Sequence, residues 1–130
     1  MSRLIEDLDP DIQEMAKEHQ AACAAEGIIV VFTQTKRTAA EQQALYDQGR
    51  RSPGPVVTHA PPGYSFHEFS RAYDVAIKSF SGDQTPRNWY DGPWERVGQL
   101  GEQAGMEWGG RWRHPDIPHF EHRGGKTLAQ

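Results

Sequence analysis

One run of β-branched and aromatic residues, Ile28-Ile29-Val30-Val31-Phe32-Thr33, constrains the fold of this chain more than any other feature. It is too short for a helix, so it reads as a buried strand, expected at the centre of its sheet. Just ahead of it, Asp9-Pro10-Asp11 carries the marks of a helix start: a capping side chain, proline at the first helical position and acids at the positive end of the dipole. Ile12, Met15, Ala16, His19, Ala22 and Cys23 then recur at helical spacing up to Gly27, which predicts an amphipathic helix over 10–26.

Downstream, Thr38 and Glu41 have the spacing of a capping box, and the helix formers of 39–48 stop at Gly49. The stretch 50–63 is too dense in proline and glycine for regular structure. A strand is expected over 72–77. Trp94, Val97, Leu100, Gly101 and Ala104 mark a third helix closed by Gly105. A Gly109-Gly110 turn and an irregular stretch to Pro118 precede a final strand over 119–122. Helices and strands interleave irregularly. The reading is an α+β domain, a small antiparallel sheet with helices packed on one face.

The chain has 130 residues, 14 Lys+Arg against 18 Asp+Glu and a net charge of −4. One domain over 1–130 is expected, and at this length a core can bury roughly two-thirds of the unfolded surface without disulfides or a structural metal. Any metal is therefore free to be catalytic. The mild acidity and scattered cations argue against nucleic acid as a partner. The first residues carry Glu6 and Asp7 and no apolar run, so neither a signal peptide nor a membrane anchor is expected. Cys23, alone among alanines, reads as core.

Of six histidines, two stand in clusters that carry chemistry. His67 leaves the Gly/Pro loop with Asp74 seven residues later in a strand, and Asp116 precedes His119 where a loop enters another strand. Two neutral imidazoles and one carboxylate make a common catalytic zinc set that leaves a fourth position for water. Asp116 could stand beside that metal and take a proton without binding it. Six histidines offer other triples as well, so spacing alone leaves the set open.

The segment from Ser65 to Asp74 resembles the Ser-x-His-x-x-Gly-x-Ala-x-Asp signature of zinc peptidases that cleave bacterial cell-wall peptides. These are D-Ala-D-Ala carboxypeptidases, dipeptidases of the vancomycin-resistance type and phage L-alanyl-D-glutamate endolysins. Ser65, His67, Ala72 and Asp74 match, and Ser70 stands where the family has glycine. Trp108-Gly109-Gly110 followed by Asp116 and His119 is similar to the family's second element. Arg37-Thr38, Glu41-Gln42, Leu45-Tyr46 and Gly49-Arg50 resemble its upstream run, so the likeness spans about 28–121.

The resemblance implies a zinc-peptidase domain of the hedgehog and DD-peptidase kind. It places one Zn2+ on His67, Asp74 and His119, makes Asp116 the general base and later acid, and has Arg37 polarise the scissile carbonyl. It also implies a peptidoglycan stem peptide as substrate. Ser65, His59 and Trp108 are candidates for substrate contact, His59 from the loop ahead of the signature and Trp108, with Trp112, as a wall of the groove. The competing readings are plainer: Asp74 paired with Arg71, Asp116 capping a turn, Arg37 solvated ahead of a helix.

Aspartate as the base sides with the endolysins that carry it. The expectation is a monomeric phage endolysin, held in the host cytoplasm until it is released to the wall. The alternatives are a D-Ala-D-Ala carboxypeptidase on the same scaffold and a zinc-bearing binding domain without turnover.

Overall fold

The computed structural model describes residues 1–124, and residues 125–130 of the expected domain lie outside the described residues. Three helices, α1 (Pro10–Ala25), α2 (Ala39–Asp47) and α3 (Trp94–Gln103), accompany four strands, β1 (Ile29–Gln34), β2 (Ala72–Ser79), β3 (Glu107–Trp108) and β4 (His119–Glu121). The sheet runs β1-β2-β4-β3 with every neighbouring pair antiparallel. No helix among the described residues is long and apolar enough to cross a membrane.

The run expected at the centre of the sheet is an edge strand, and β2 takes the central place. Val30 is 1% exposed, whereas Ile29 and Val31 are each 39% exposed. A continuous apolar run signals a strand but not coverage on both sides. Here α1 packs against one side of β1, and the Gln20 side chain donates to the Val30 carbonyl at 3.1 Å, occupying one acceptor of the open edge.

Strand alternation gives β2 and β4 two different faces. Tyr73, Val75, Ile77 and Phe120 join Val30, Ile12, Val97 and Leu100 in the core that α1 and α3 close. Asp74, His119 and Glu121 occupy the alternate positions. The helix α2 borders that second side, with Leu45 reaching the cleft described below. Its capping box is complete: Glu41 N–H donates to Thr38 Oγ1 at 3.1 Å, and Thr38 N–H donates to Glu41 Oε1 at 2.9 Å.

The start of α1 departs from expectation. Asp9 occupies the N-cap position but its side chain does not cap the helix. It accepts from Arg71 Nη1 at 2.9 Å, while Asp11 takes Arg71 Nη2 at 2.8 Å and Arg71 Nε donates to the His122 carbonyl at 2.7 Å. Arg71 is buried, so its charge is held by carboxylates and a carbonyl together, and it ties the start of α1 to the end of β4. The pairing of Arg71 with Asp74 weighed from the sequence does not form.

Two glycines let α3 lie close to the sheet. A Cβ on Gly98 would meet the Trp108 ring at 2.3 Å, and one on Gly101 would lie 2.4 Å from Phe120 Cε1. Beneath α3, the fully buried His19 donates from Nε2 to the Val97 carbonyl and accepts at Nδ1 from the Tyr73 hydroxyl, both at 2.8 Å. Burial lowers its pKa to about 4, against the opposing effect of the Val97 bond. Cys23 is buried, as expected, and burial pushes its thiol up to about 11.

Gly101→Ala gains at most about 1 kcal/mol of helix propensity. Overpacking against a buried ring costs about 1–3 kcal/mol. The variant is therefore expected to melt at a lower temperature, and an unchanged or higher midpoint would mean that α3 shifts freely. For His19, the unfolded chain binds a proton below about 6.5 that the folded chain refuses until about 4. Its contribution, on the order of 3 kcal/mol, is complete above that window and lost as pH falls through it. The stability difference between the wild type and His19→Gln should shrink from pH 7 to pH 4, and a pH-independent difference would refute the assignment.

Candidate active site

The site is a cleft of about 750 Å3 between the polar side of the sheet and the loop 56–65. His67, Asp74 and His119 meet at its floor. Asp74 and His119 are directly opposite each other in the β2–β4 pair. His67 comes from a series of tight turns after the loop, in which its N–H donates to Ser65 Oγ at 3.3 Å and its carbonyl accepts from Arg37 N–H at 2.9 Å. Ser70 then adopts a positive φ of 60° and delivers the chain into β2.

That conformation explains why glycine suits the position. Ser70 is buried, and its carbonyl accepts from Asp9 N–H at 3.0 Å. Its place in the fold is a turn against the start of α1, away from the cleft lining.

The outer bonds of the two rings set their tautomers. His67 Nδ1 lies 2.8 Å from the Thr35 carbonyl, which can only accept, so Nδ1 carries the hydrogen and Nε2 presents a lone pair. His119 Nε2 lies 2.8 Å from Glu121 Oε1, so Nε2 donates and Nδ1 presents the lone pair. Those two nitrogens are 3.2 Å apart, and Asp74 Oδ1 is 3.2 Å from the first and 3.0 Å from the second.

Three acceptors this close repel unless a cation sits among them. A tetrahedral ion with bonds of about 2.0–2.1 Å holds its ligand atoms about 3.3 Å apart, so the donor set fits zinc in type and in size.

The electrostatics agree with a centre built for positive charge. Burial alone would raise the Asp74 carboxyl, but positive charge at His119 and His67, a proton standing in for the ion, holds it well below the usual carboxylate range. Burial would lower His119, yet its bonds to Asp74 and Glu121 push it up to about 10, so that a proton takes the place of a metal ion on Nδ1.

Asp116 stands at the rim, its side chain 51% exposed and its Oδ2 4.0 Å from His119 Nδ1. Its loop is pinned at both ends. Asp116 N–H donates to the Gly109 carbonyl at 2.9 Å, and the Trp108 indole donates to the Ile117 carbonyl at 2.7 Å. A Cβ on Gly109 would lie 2.5 Å from the Asp116 carbonyl oxygen, which is why the Trp-Gly-Gly turn needs glycine there. Desolvation raises the Asp116 carboxyl above its usual range, His119 opposes the shift, and Asp74 adds to it.

Arg37 lines the cleft and is buried. Its guanidinium donates to the side-chain oxygens of Gln42 and Gln34. Burial lowers its pKa while Asp74, Asp116 and other carboxylates oppose the shift, and an arginine keeps its charge throughout. Held by neutral amides, that charge stays available to a ligand. It is not the solvated residue of the plainer reading.

His59 and Ser65 also line the cleft. Trp108 does not: it is 5% exposed and stacks on Phe120 in the core, so the expectation that it contacts substrate is corrected. Trp112 lines the cleft wall in its place, beside His119. An aromatic next to a Gly-Gly turn reads equally as wall or core from sequence, and the small α3 residue Gly98 draws Trp108 inward. Three residues absent from the sequence expectations, Glu121, Gln34 and Thr35, hold a site side chain each. Glu121 was legible in His119-Phe120-Glu121, since strand alternation puts the first and third residues on one face.

Residues 58–122 match the family model described as D-alanyl-D-alanine carboxypeptidase. CwlK of Bacillus subtilis (strain 168), a peptidoglycan L-alanyl-D-glutamate endopeptidase, is 38% identical over 122 residues, covering 88% of this chain and 73% of CwlK. The chain belongs to the D-alanyl-D-alanine carboxypeptidase family of zinc peptidases.

Two solved structures share its fold. The L-Ala D-Glu endopeptidase ChiX of Serratia marcescens aligns with a TM-score of 0.63 at 20% identity, over 90% of this chain and 81% of that one. A variant of the vancomycin-resistance D,D-pentapeptidase VanY, in complex with Zn(II), aligns with a TM-score of 0.64 at 16% identity, over 88% and 72%. The small antiparallel sheet with helices expected for this family is the observed architecture.

Proposed function

We propose that this chain is a zinc endopeptidase that hydrolyses the L-alanyl-D-glutamate bond of peptidoglycan stem peptides. The chemistry rests on the convergence of three donor lone pairs at His67 Nε2, Asp74 Oδ1 and His119 Nδ1, beside an aspartate and an arginine in one open cleft. The choice of bond is supported by the 38% identity to CwlK.

His67, Asp74 and His119 would hold one Zn2+. Zinc held there makes water nucleophilic at neutral pH and polarises a carbonyl. Asp116, next to the ligand cluster but outside it, accepts the proton of the attacking water and returns it to the leaving amine as the C–N bond breaks. Arg37 donates to the carbonyl oxygen as negative charge develops on it. Ser65 and His59 line the cleft where the stem peptide binds, and Trp112 supplies an aromatic wall. Asp116 and Arg37 together disfavour a binding domain without turnover, which would need neither.

The biological setting in this reading is an endolysin acting as a monomer, held in the host cytoplasm until it reaches the wall. A second reading, D-Ala-D-Ala carboxypeptidase, is favoured by the family model that residues 58–122 match.

Mass spectrometry of products from purified Gram-negative peptidoglycan separates the two. Stem peptides beginning at D-glutamate are expected, absent with chelator and absent in His67→Ala. Release of terminal D-alanine alone would establish the carboxypeptidase instead. Asp116→Asn should keep one zinc per chain and lose at least about a hundredfold in kcat, and full activity would remove it from the mechanism. Clearing of chloroform-permeabilised Gram-negative cells tests the endolysin setting, which fails if purified wall is cut but cells are not cleared.

A further inference from the structure

Glu121 is the most deeply buried acidic residue among those described, and the proposed chemistry gives it no task. Its Oε1 receives the His119 Nε2 hydrogen at 2.8 Å, and its Oε2 receives Arg123 Nε at 3.3 Å. The Arg123 side chain is 57% exposed and therefore solvated, a weak partner for a carboxylate taken out of water. The stronger partner lies on the other side, through the imidazole. In β2 the residue opposite Glu121 is Ala72, whose small side chain leaves room for the carboxylate.

We propose that Glu121 is a positioning residue of the metal centre, resting on the zinc reading above. Its carboxylate fixes the His119 tautomer that aims Nδ1 at the ion, and its charge increases the donor strength of that nitrogen. The two ligand histidines are held differently. His67 leans on a neutral carbonyl, that of Thr35, whereas His119 leans on a full negative charge.

Charge accounting explains why one anion is needed in this second layer. With both histidines neutral, Asp74 cancels only half of a divalent ion, and Glu121 cancels the rest. Asp116 and Arg37 then balance each other across the cleft. A buried centre with one uncompensated charge holds its ion less well.

The test is zinc affinity by competition with a chromophoric chelator, measured on wild type, Glu121→Gln, Glu121→Ala and His67→Ala. Glu121→Gln keeps an oxygen to accept from Nε2 and loses the charge, so it should bind zinc about tenfold more weakly. Glu121→Ala loses both and should approach a hundredfold. The melting temperature of Glu121→Gln in excess chelator should not fall below that of wild type. Affinities within twofold of wild type for both variants would overturn the proposal. So would a melting point lowered equally with and without zinc, since that marks a packing role. Undiminished zinc binding by His67→Ala would instead overturn the metal reading itself, which separates the two failures.

Discussion

The pairing of β2 with β4 is the constraint on which everything else in this molecule depends. The two strands run antiparallel with Asp74 opposite His119, and each strand sends alternate side chains to opposite sides. One side gives Tyr73, Val75 and Phe120 to the core. The other gives an acid and an imidazole to a common point, to which the turn after Ser65 adds a second imidazole. A shift of one residue in this register would send Phe120 into the cleft and His119 into the core, so apolar packing and ligand geometry specify the same pairing.

Around that pair, the structure manages charge by choosing what each ionic group leans on. Arg71, deep in the fold, is given two carboxylates and a carbonyl, and its role is mechanical. Arg37 is given two glutamine side chains, which orient it without neutralising it. Both are buried arginines. Their partners decide that one holds the fold together and the other keeps its charge toward the cleft.

Local chemistry made most of the elements legible in the sequence. The Thr38/Glu41 capping box, the proline start of α1 and the glycine stops carry their own short-range physics, and each has an element boundary where expected. The donor triple was read from the resemblance of two separate elements to a known family, the first carrying His67 and Asp74 and the second His119. What escaped was decided by contacts between distant segments. The edge position of β1 depends on which side the helices cover, and the inward turn of Trp108 depends on the two hydrogens of Gly98. The Asp9 side chain followed the long-range pull of Arg71 instead of its own helix. Gln34 and Gln42 become visible as holders of Arg37 only once β1 and α2 are set side by side.

The separation of the donors along the chain has a temporal consequence. His67 and Asp74 are seven residues apart, but His119 belongs to the last strand described and meets Asp74 only when β4 docks beside β2. During synthesis, the ribosome must therefore release the chain through β4 before the three proposed donors can meet. Until then a nascent chain carries two of the three proposed donors, so the donor cluster arrives with the docking of β4 and never before it.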